Sequence, residues 1–523
     1  MKMKIITMPI VEMLQRHAEK DPLSFHVPGH KGKIPLSNVG EMSAEEQLSI
    51  SQSDSWSLFE AIFPIDVTEL SDTDDLHDAG GAIAEAQQLA ANFFGAEETS
   101  FLVGGSTAGN LSLVLGCFER GDVILVQRNV HKSVLNGLKL AGASVVFLDT
   151  EHDSTSGLPD LPMIGTVEKA LNRWPHAKAV FLSNPSYYGW SRNLHPYAEL
   201  VHQWDRLLLI DEAHGAHYGL HPRFPSSALQ AGADAVVQST HKTLPAMTMA
   251  AMLHMQGDRL NRDRVKQMLA ALQSSSPSYP LMASLDMARG MLSQYGAKWF
   301  EPGLHAADAI RGWLRERSSR YGLAEDLLHN EDIRTDPLRI VFYDQEGSET
   351  GIELQKQLER RGCWAEMADD RYVVLLVGAQ SSSEETERLL EALIDMEKED
   401  NGSASSPSVR IKMADEAHGI PAIEGGSSVI KPITRELAEP IVLERFPLEP
   451  HRLEQIPLLQ AVGRKSGETI VPYPPGIPIL MEGETIRKET VELMSRLQAS
   501  GVRFQGMKLS EKGLVRVMCI ESV

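Results

Sequence analysis

The chain has 523 residues, enough for more than one domain, and its 42% hydrophobic and 23% charged residues are ordinary for a soluble globular enzyme. Its 71 acidic residues outnumber the 50 basic ones, and the net charge of −21 argues against nucleic acid or an anionic membrane as a partner. Three widely spaced cysteines predict neither a disulfide framework nor a metal site. No apolar run is long enough to span a membrane and the first residues lack a signal-peptide pattern, so we expect a cytoplasmic protein.

The amino-terminal residues predict an extended arm. Residues 9–24 have the periodicity of a short amphipathic helix, and 26–32 form a turn-rich segment with two histidines. Residues 36–60 are polar and without periodicity, which is typical of a loop. We therefore assign residues 1–60 to an amino-terminal arm.

An acidic segment follows the arm, from Asp66 to His77. Such a segment is usually a solvated loop or a set of helix caps, but its carboxylates, Asp74 and Asp75 among them, also suit the attraction of a cationic ligand. The sequence leaves both interpretations open. Residues 81–94 then predict a helix that ends at Gly95.

Apolar strands alternate with helix-length connections from about residue 99 to residue 256. This alternation predicts an α/β fold with a mainly parallel sheet covered by helices on both faces. We assign residues 61–299 to this large domain. The predicted strands are 101–103, 123–126, 145–148, 179–182, 207–210, 235–237 and 250–253.

Polar or glycine-rich segments follow several of these strands, where open α/β sheets bind their ligands. Gly105, Ser106 and Thr107 open a predicted helix and offer backbone N–H groups and hydroxyls to a phosphate. His131 follows the second strand, where an imidazole can stack on an aromatic ring. Asp211 ends another strand and can pair with a protonated pyridine nitrogen. Each of these residues also has an ordinary structural explanation, as part of a turn, a structural histidine or a helix cap.

The segment Ser239-Thr-His-Lys242 follows the predicted strand 235–237 directly. A lysine amine that is partly removed from water has a lowered pKa and can condense with an aldehyde to a Schiff base. The sequence thus contains, in this order and all at strand ends, a phosphate cup (Gly105, Ser106 and Thr107), a histidine that can stack on a ring, an aspartate that can pair with a ring nitrogen, and a lysine. Together these groups predict a site for pyridoxal 5'-phosphate (PLP). Ser239, His241 and His214, in Asp211-Glu-Ala-His214, belong to the same predicted site, and no metal is expected.

The rest of the chain divides by composition. Residues 300–397 predict a small α+β domain, with strands at 339–343 and 372–376. Residues 398–407 have the composition of a linker, and 408–523 predict a carboxyl-terminal module. Within it the proline-rich segment Tyr473-Pro-Pro-Gly-Ile-Pro478 precedes Glu482 and Glu484, which we expect to be exposed.

These motifs together resemble the bacterial ornithine/lysine/arginine decarboxylases, which are PLP enzymes of fold type I, in the short form without an amino-terminal receiver-like wing. The matching motifs run almost the whole length of the chain. They are Phe25-His-Val-Pro-Gly-His-Lys31, Asp74-Asp-Leu-His77, Gly105-Ser-Thr107, Arg128-Asn-Val-His-Lys-Ser133, Asp211-Glu-Ala-His214, Ser239-Thr-His-Lys242, Ser275-Ser-Pro-Ser-Tyr-Pro280 and Tyr473-Pro-Pro-Gly-Ile-Pro478.

The resemblance implies PLP-dependent decarboxylation of a basic amino acid in a homodimer or larger homo-oligomer. Arginine is expected first as the substrate, with lysine or ornithine next, and Asp74, Asp75, Glu482 and Glu484 are the candidate acids for its side chain. Lys242, His241 or His214 would return a proton to Cα, and the sequence does not decide among them. Ser-Thr-His-Lys-Thr-Leu244 also resembles the lysine segment of serine hydroxymethyltransferases. An aldolase- or aminotransferase-type reaction, or a PLP-binding relative without turnover, therefore remains an alternative.

Overall fold

The computed structural model of the protein describes residues 6–32, 57–402, 440–442, 452–473, 478–499, 503–505 and 514–519. Of the predicted loop at 36–60, residues 36–56 lie outside these residues, as does most of the proline-rich segment, 474–477, whereas 57–60 form a helical turn and not a loop. Within the described ranges, every helix is too short or too polar to cross a membrane.

The strands alternate with helices through most of the chain, as the sequence predicted. In chain order the strands are β1 (Glu98–Leu102), β2 (Val123–Gln127), β3 (Ser144–Leu148), β4 (Ala179–Ser183), β5 (Trp190–Ser191), β6 (Leu207–Asp211), β7 (Ala235–Gln238), β8 (Ala251–Met255), β9 (Tyr321–Leu323), β10 (Arg334–Thr335), β11 (Arg339–Asp344), β12 (Met367–Ala368), β13 (Tyr372–Leu376), β14 (Ile441–Val442), β15 (Leu453–Pro457), β16 (Val471–Tyr473), β17 (Arg503–Gln505) and β18 (Leu514–Met518).

The helices range from single turns to rods of five turns. They are α1 (Pro9–Glu19), α2 (Ser57–Glu60), α3 (Ala82–Phe94), α4 (Gly105–Cys117), α5 (Lys132–Ala141), α6 (Ile164–Arg173), α7 (His195–Gln203), α8 (Thr240–Thr243), α9 (Arg262–Leu272), α10 (Tyr279–Tyr295), α11 (Glu301–Glu316), α12 (Gly351–Arg360), α13 (Ser383–Gly402) and α14 (Lys488–Ala499). Short 3-10 turns cover 63–65, 296–300, 324–327 and 458–460.

Eight strands form the main sheet, in the order β1-β8-β7-β6-β4-β2-β3-β14. The run from β7 to β3 is parallel throughout, while β8 is antiparallel to both of its neighbours and β14 is antiparallel to β3. This is the mainly parallel sheet predicted from the sequence. Because parallel strands share one carboxyl edge, the residues that follow β2, β6 and β7 meet there.

Helices cover both faces of this sheet, and alternate residues of each strand face opposite cores. On β2, Val123 and Leu125 belong to one apolar cluster, whereas Ile124 and Val126 belong to the other. The first cluster includes residues of α1, α3, α6, α7 and α10, and the second includes residues of α4, α5 and α9. The near-continuous apolar runs of the sequence are therefore strands buried on both sides.

The ends of two amino-terminal helices follow from local backbone chemistry. Helix α1 ends at Glu19 and not at residue 24, because Asp21 has a positive φ of 42° and precedes Pro22, which disfavours helical backbone before it. Helix α3 ends as predicted at Gly95, which has a φ of 81° and donates its N–H to the carbonyl of Ala91.

A second, four-stranded antiparallel sheet has the order β12-β13-β11-β9. It shares a separate core with α11, α12 and α13, built around Trp313, Phe342 and Leu358. Helix α13 continues to Gly402, so the predicted linker was wrong for residues 398–402, where the acidic sequence extends the helix by another turn. The remaining linker residues lie outside the described chain, and the domain boundaries stay predictions.

The described carboxyl-terminal residues pack into a small cluster of their own. Strand β15 pairs with β18 and β16 pairs with β17, both antiparallel, and Ile486, Met494 and Val517 are buried between them and α14. Strand β14 instead joins the edge of the main sheet.

Candidate active site

Lys242 lies on the single-turn helix α8, which follows β7 at the carboxyl edge of the main sheet. Its Nζ is 2.9 Å from Nε2 of His214, which follows the neighbouring strand β6. Burial lowers the pKa of the Lys242 amine, although the negative charges of Asp211 and Glu366 oppose the shift. Burial thus favours the uncharged, nucleophilic form of this amine.

The hydrogen bonds of His214 fix how the protons are arranged. Arg339 Nη2 lies 3.3 Å from His214 Nδ1, and because a guanidinium only donates, Nδ1 must be the acceptor. The other nitrogen, Nε2, then carries the proton and faces Lys242, so the lysine nitrogen accepts through a free lone pair. Burial and the nearby charges of Lys242 and Arg339 lower the pKa of His214 well below its usual value, which agrees with a neutral ring.

Asp211 is buried and held by two donors. Its Oδ2 accepts from Asn110 Nδ2 at 2.9 Å, and its Oδ1 accepts from the N–H of Ala213 at 3.1 Å. The Asn110 amide also donates to Ser133 Oγ at 2.9 Å. The orientation of the carboxylate is thus fixed in part by α4, which carries Asn110.

His131 is the residue that caps the amino terminus of α5. Its Nδ1 accepts from the N–H of Ser133 at 3.2 Å and lies 2.8 Å from the Ser133 hydroxyl. Burial lowers the pKa of His131, with the charge of Asp211 opposing the shift. His131 is therefore a neutral ring, held in one orientation and connected to Asp211 through Ser133 and Asn110.

Gly105, Ser106 and Thr107 form the first turn of α4, at the same edge of the sheet as Lys242. Gly105 has a φ of 70°, which lets the chain turn sharply from β1 into the helix. Ser239 Oγ is buried and makes no hydrogen bond among the described residues. A helix amino terminus with hydroxyls and an unpaired buried Ser239 suits the phosphate of PLP, so the residues fit this cofactor.

His241 differs from the other predicted site residues because its ring is half-buried and uses Nδ1 on the backbone. It donates to the carbonyl of Ala250 at 3.0 Å. Burial lowers its pKa, while that hydrogen bond opposes the shift. Lys242 and His214 are therefore in direct contact, and His131 is connected to Asp211 through hydrogen bonds of Ser133 and Asn110. His241 instead is hydrogen-bonded to the backbone of Ala250, the residue before β8.

Asp74, one of the candidate acids for the substrate side chain, has a structural contact. Its carboxylate caps α3, because it accepts from the N–H groups of Gly81 and Ile83 at 3.0 and 2.7 Å. Asp75 accepts from the N–H of His77 at 2.8 Å within the same turn. The helix-cap interpretation of the acidic segment is therefore correct for Asp74, whereas Asp75 closes a turn ahead of the helix, and the role of both as substrate acids stays a prediction.

Glu482 and Glu484 are not the exposed acids that the sequence suggested. Glu484 forms an ion pair with Arg128 at 2.5 Å and Glu482 pairs with Lys139 at 3.2 Å. Both side chains are largely buried where the carboxyl-terminal cluster meets the large domain. Their charges attach this cluster near the loop that bears His131.

The sequence analysis did not identify four residues of the site as functional, namely Asn110, Tyr187, Arg339 and Glu366. Asn110 lies on the predicted helix that Gly105, Ser106 and Thr107 open, and its contact with Asp211 could have been found from the helix register. Arg339 and Glu366 come from the small sheet, so no local signal connects them with Lys242, whereas Tyr187 lies in the segment that directly follows strand β4. The Tyr187 ring packs 4.5 Å from the His214 ring.

A buried polar array lies beneath the site. Glu212 accepts from Gln238 Nε2 at 2.7 Å and from the N–H of Ala228 at 2.8 Å. Gln238 Oε1 is 3.1 Å from His254 Nε2, and His254 Nδ1 is 2.8 Å from Thr99 Oγ1. Because Glu212 follows Asp211 and Gln238 precedes Ser239, the array joins the two segments that carry the site.

The fold and the lysine at the strand end define a fold type I PLP enzyme scaffold. A lysine decarboxylase of Francisella novicida, LdcF, has this fold with a TM-score of 0.77 at 18% identity, over 98% of this chain and 81% of that one. Serine palmitoyltransferase of Sphingomonas wittichii has a TM-score of 0.50 at 16% identity, over 67% of this chain and 82% of that one.

The family follows from the sequence matches. The family model described as Orn/Lys/Arg decarboxylase, major domain, matches residues 8–324, and the one for the C-terminal domain matches residues 448–520. The chain belongs to the Orn/Lys/Arg decarboxylase family, which confirms the resemblance.

Two curated relatives cover nearly the full chain. The uncharacterized protein YaaO of Bacillus subtilis (strain 168) is 38% identical over 513 residues, covering 97% of this chain and 98% of the relative. An arginine decarboxylase of the same strain is 31% identical over 521 residues, covering 98% and 97%.

Proposed function

We propose that the protein is a PLP-dependent decarboxylase of basic amino acids that acts on arginine first and on lysine or ornithine next. The observation that carries this proposal is the lysine–histidine pair at the carboxyl edge of a fold type I sheet, in a chain of the Orn/Lys/Arg decarboxylase family. Arginine leads because the arginine decarboxylase of Bacillus subtilis aligns over nearly the whole chain.

Each predicted site residue has a role that its contacts support. Lys242 would hold the aldehyde carbon of PLP, while Ser106, Thr107 and Ser239 would receive the phosphate. Asp211 would pair with the pyridine nitrogen, since both of its oxygens are aimed by N–H donors. His131 would cover one face of the ring. PLP, when bound, supplies an electron sink for the pair released from the Cα–carboxylate bond.

The protein's own contribution is to choose the bond that breaks and to return a proton. Arg339 and His214 fix the protons around Lys242, so one amine with a lone pair and one imidazole N–H face the reacting region. Proton return to Cα by this pair is favoured over His241, whose Nδ1 is bound to a carbonyl. The geometry therefore supports Lys242 with His214 as the proton-handling pair.

We also propose that the protein works in the cytoplasm as a homodimer or larger homo-oligomer, making amines that serve as polyamine precursors. Leu23, Phe25 and Val27 in the amino-terminal arm are 80%, 94% and 63% exposed. Closely spaced exposed apolar residues of this size suit burial against a second copy. Analytical ultracentrifugation of the protein and of a Phe25→Ser variant tests this, and a monomer at micromolar concentration contradicts it.

The test of the reaction uses purified protein with added PLP and separate solutions of arginine, lysine and ornithine. We expect CO2 and the matching amine in equal amounts, with the highest kcat/KM for arginine. A higher kcat/KM for lysine or ornithine would reverse the substrate order and leave the decarboxylase proposal intact. Transfer of the amino group to a keto acid, or cleavage to an aldehyde without CO2, would favour the alternative reactions.

A further inference from the structure

Arg339, the first residue of β11, is only 2% exposed. Three other arginines are buried in the described part of the chain, and each forms an ion pair with a carboxylate: Arg289 with Asp286, Arg311 with Glu325 and Arg320 with Asp344. Among the same residues Arg339 forms no such pair, although burying a charge without a partner is costly. A guanidinium kept at this cost needs a functional explanation.

The guanidinium of Arg339 extends from the small sheet to two groups of the large domain. Its Nη1 donates to the carbonyl of Tyr187 at 2.5 Å, and its Nη2 donates to His214 Nδ1 at 3.3 Å. The aliphatic part of the side chain lies against Gly189, which has a φ of 81° and where a Cβ atom would be 2.8 Å from Arg339 Cδ. The loop after β4 is therefore shaped to admit this side chain.

The negative charge that acts on Arg339 from its own segment is Asp336, and this carboxylate is bonded elsewhere. Its Oδ1 lies 3.1 Å from His217 Nε2 and accepts from the N–H of Leu338 at 2.9 Å. Although burial opposes the shift, the charges of His217 and Arg339 lower the pKa of Asp336, so the carboxylate stays charged at neutral pH. Arg339 is thus stabilised by a nearby charge and keeps its donors for Tyr187 and His214.

The positive charge of Arg339 acts on both members of the Lys242–His214 pair. Burial is the largest cause that lowers the pKa of His214 and of Lys242, and Arg339 contributes to both decreases. Within the described residues, Arg339 is also the group that hydrogen-bonds to His214 Nδ1. Other charged or titratable groups act on the pair as well: His131 and His241 on His214, and Asp211 and Glu366 on Lys242.

The bond from Arg339 decides which nitrogen of His214 carries the proton. A neutral imidazole can hold its proton on either nitrogen. Without a donor at Nδ1, the proton can move to that atom, and Nε2 then offers a lone pair to Lys242. A lone pair beside the amine stabilises the ammonium form, which cannot attack an aldehyde.

We propose that Arg339 is a positioning residue by which the small sheet holds His214 in its Nε2–H form and so favours the uncharged form of Lys242. The arrangement of protons stands on the geometry alone, whereas its effect on turnover rests on the proposed function. The reactive lysine of the large domain is thereby controlled by a residue of the small sheet.

The test measures the charge of Lys242 by competitive acetylation of the full-length protein without PLP. Only the uncharged amine reacts with acetic anhydride, so the acetylation of Lys242 at each pH, measured by peptide mass spectrometry, gives the midpoint of its titration. Arg339→Met should raise this midpoint by about one pH unit, because it removes a nearby positive charge and frees His214 to offer a lone pair. An unchanged midpoint overturns the assignment.

Arg339→Gln removes the same charge and keeps a donor for the Tyr187 carbonyl. It is the variant to measure if Arg339→Met does not fold, and the same shift is expected. Arg339→Lys keeps the charge and can only donate, so its midpoint should stay within about half a pH unit of the wild type.

A double-mutant cycle with His214→Phe separates positioning from the direct effect of the charge. If Arg339 acts through His214, Arg339→Met should shift the midpoint less than half as far in the His214→Phe protein as in the wild type. Equal shifts in both proteins overturn the positioning role, because the charge of Arg339 would then act on Lys242 directly.

Arg334→Met is the matched control, because Arg334 is an exposed arginine on β10, in the same segment of the chain. It should leave the midpoint of Lys242 unchanged. A shift in Arg334→Met equal to that in Arg339→Met overturns the assignment.

Decarboxylation of arginine in the presence of PLP tests the connection with the proposed function. The acid limb of kcat/KM against pH should move to higher pH in Arg339→Met, in the same direction as the acetylation midpoint. An active Arg339→Met protein with an unchanged acid limb overturns the positioning role. If the wild type decarboxylates no basic amino acid, the proposed function fails, while acetylation of Lys242 still decides the role of Arg339.

Discussion

Two features of its surroundings favour the uncharged form of Lys242: burial, which lowers the pKa of the amine, and a histidine whose proton faces the lysine nitrogen. This is the state in which an amine attacks an aldehyde. The sequence alone indicated both Lys242 and His214 as site residues, but not the contact between them, because the two residues are 28 positions apart in the chain.

Lys242→Ala should lose the reducible covalent bond to PLP together with turnover, since no other described amine is placed beside His214. Borohydride reduction of the wild type followed by peptide mass spectrometry should find the cofactor on Lys242. The exposed Lys266 provides a control, and Lys266→Ala should behave as the wild type. Turnover at the wild-type rate in Lys242→Ala would refute the assignment.

Asp211 presents a different test, because it is expected to act through the cofactor ring and not through a covalent bond. Asp211→Ala removes the charge that keeps the pyridine nitrogen protonated, and we expect kcat to fall by about 10²–10³, as for other electrostatic partners. PLP should remain bound through Lys242 and the phosphate cup. Intact kcat at saturating PLP, with only weaker cofactor binding, would show that Asp211 merely anchors PLP.

At the scale of elements, the strands of the main sheet agree with their predictions to within a few residues, because fully buried parallel strands have continuous apolar sequences. The single turn α8 and the short strands β5 and β10 were not predicted, since two to four residues carry too little periodicity. Contacts between distant segments, such as Arg339 with His214, have no local signal at all.

The array beneath the site connects the end of β6 with β7 and β8 and contains two ionisable side chains, Glu212 and His254. Burial raises the pKa of Glu212 to about 8, above its ordinary value of 4.5. Between those pH values the unfolded chain has lost the proton that the folded protein keeps. Folding then takes up a proton at Glu212, so the contribution of this side chain to stability falls as the pH rises through this window, by up to about 1.4 kcal/mol per pH unit.

Glu212→Gln should remove this pH dependence without breaking the array. The introduced amide can accept from the Ala228 N–H and donate to Gln238 Oε1, if Gln238 reverses its own amide and donates to His254. The thermal midpoint of the wild type should therefore fall relative to that of the variant as the pH rises from 5 to 8. The exposed Glu385→Gln should follow the wild type, and a parallel slope for all three proteins would contradict the shifted pKa.

At the scale of the whole molecule, the family and the fold were predictable because their motifs extend along the chain, whereas the docking of its carboxyl-terminal part was not. Glu482 and Glu484 looked like surface acids, since their basic partners lie more than 340 residues earlier. The contacts of Asp74 were also not predictable, because its partners are backbone N–H groups, which a pattern of side chains does not reveal.

The ion pair between Glu484 and Arg128 joins the carboxyl-terminal cluster to the loop that leads to His131. Their side chains are only 14% and 12% exposed, and Arg128 also lies over the Phe147 ring at 4.8 Å. Removing one member of a largely buried pair costs about 3–5 kcal/mol, because the other charge stays desolvated. Glu484→Gln should therefore lower the thermal midpoint and speed proteolysis of the carboxyl-terminal cluster.

The exposed Glu489, on α14 of the same cluster, supplies the comparison. Glu489→Gln removes an equal charge from water and should change neither property. Because Arg128 precedes His131 by three residues, Glu484→Gln should also weaken PLP binding, measured by cofactor fluorescence. If Glu484→Gln and Glu489→Gln melt together and are cleaved at the same rate, the pair does not attach the cluster to the large domain, and the apolar contact of Met481 with the core of the large domain must do so instead.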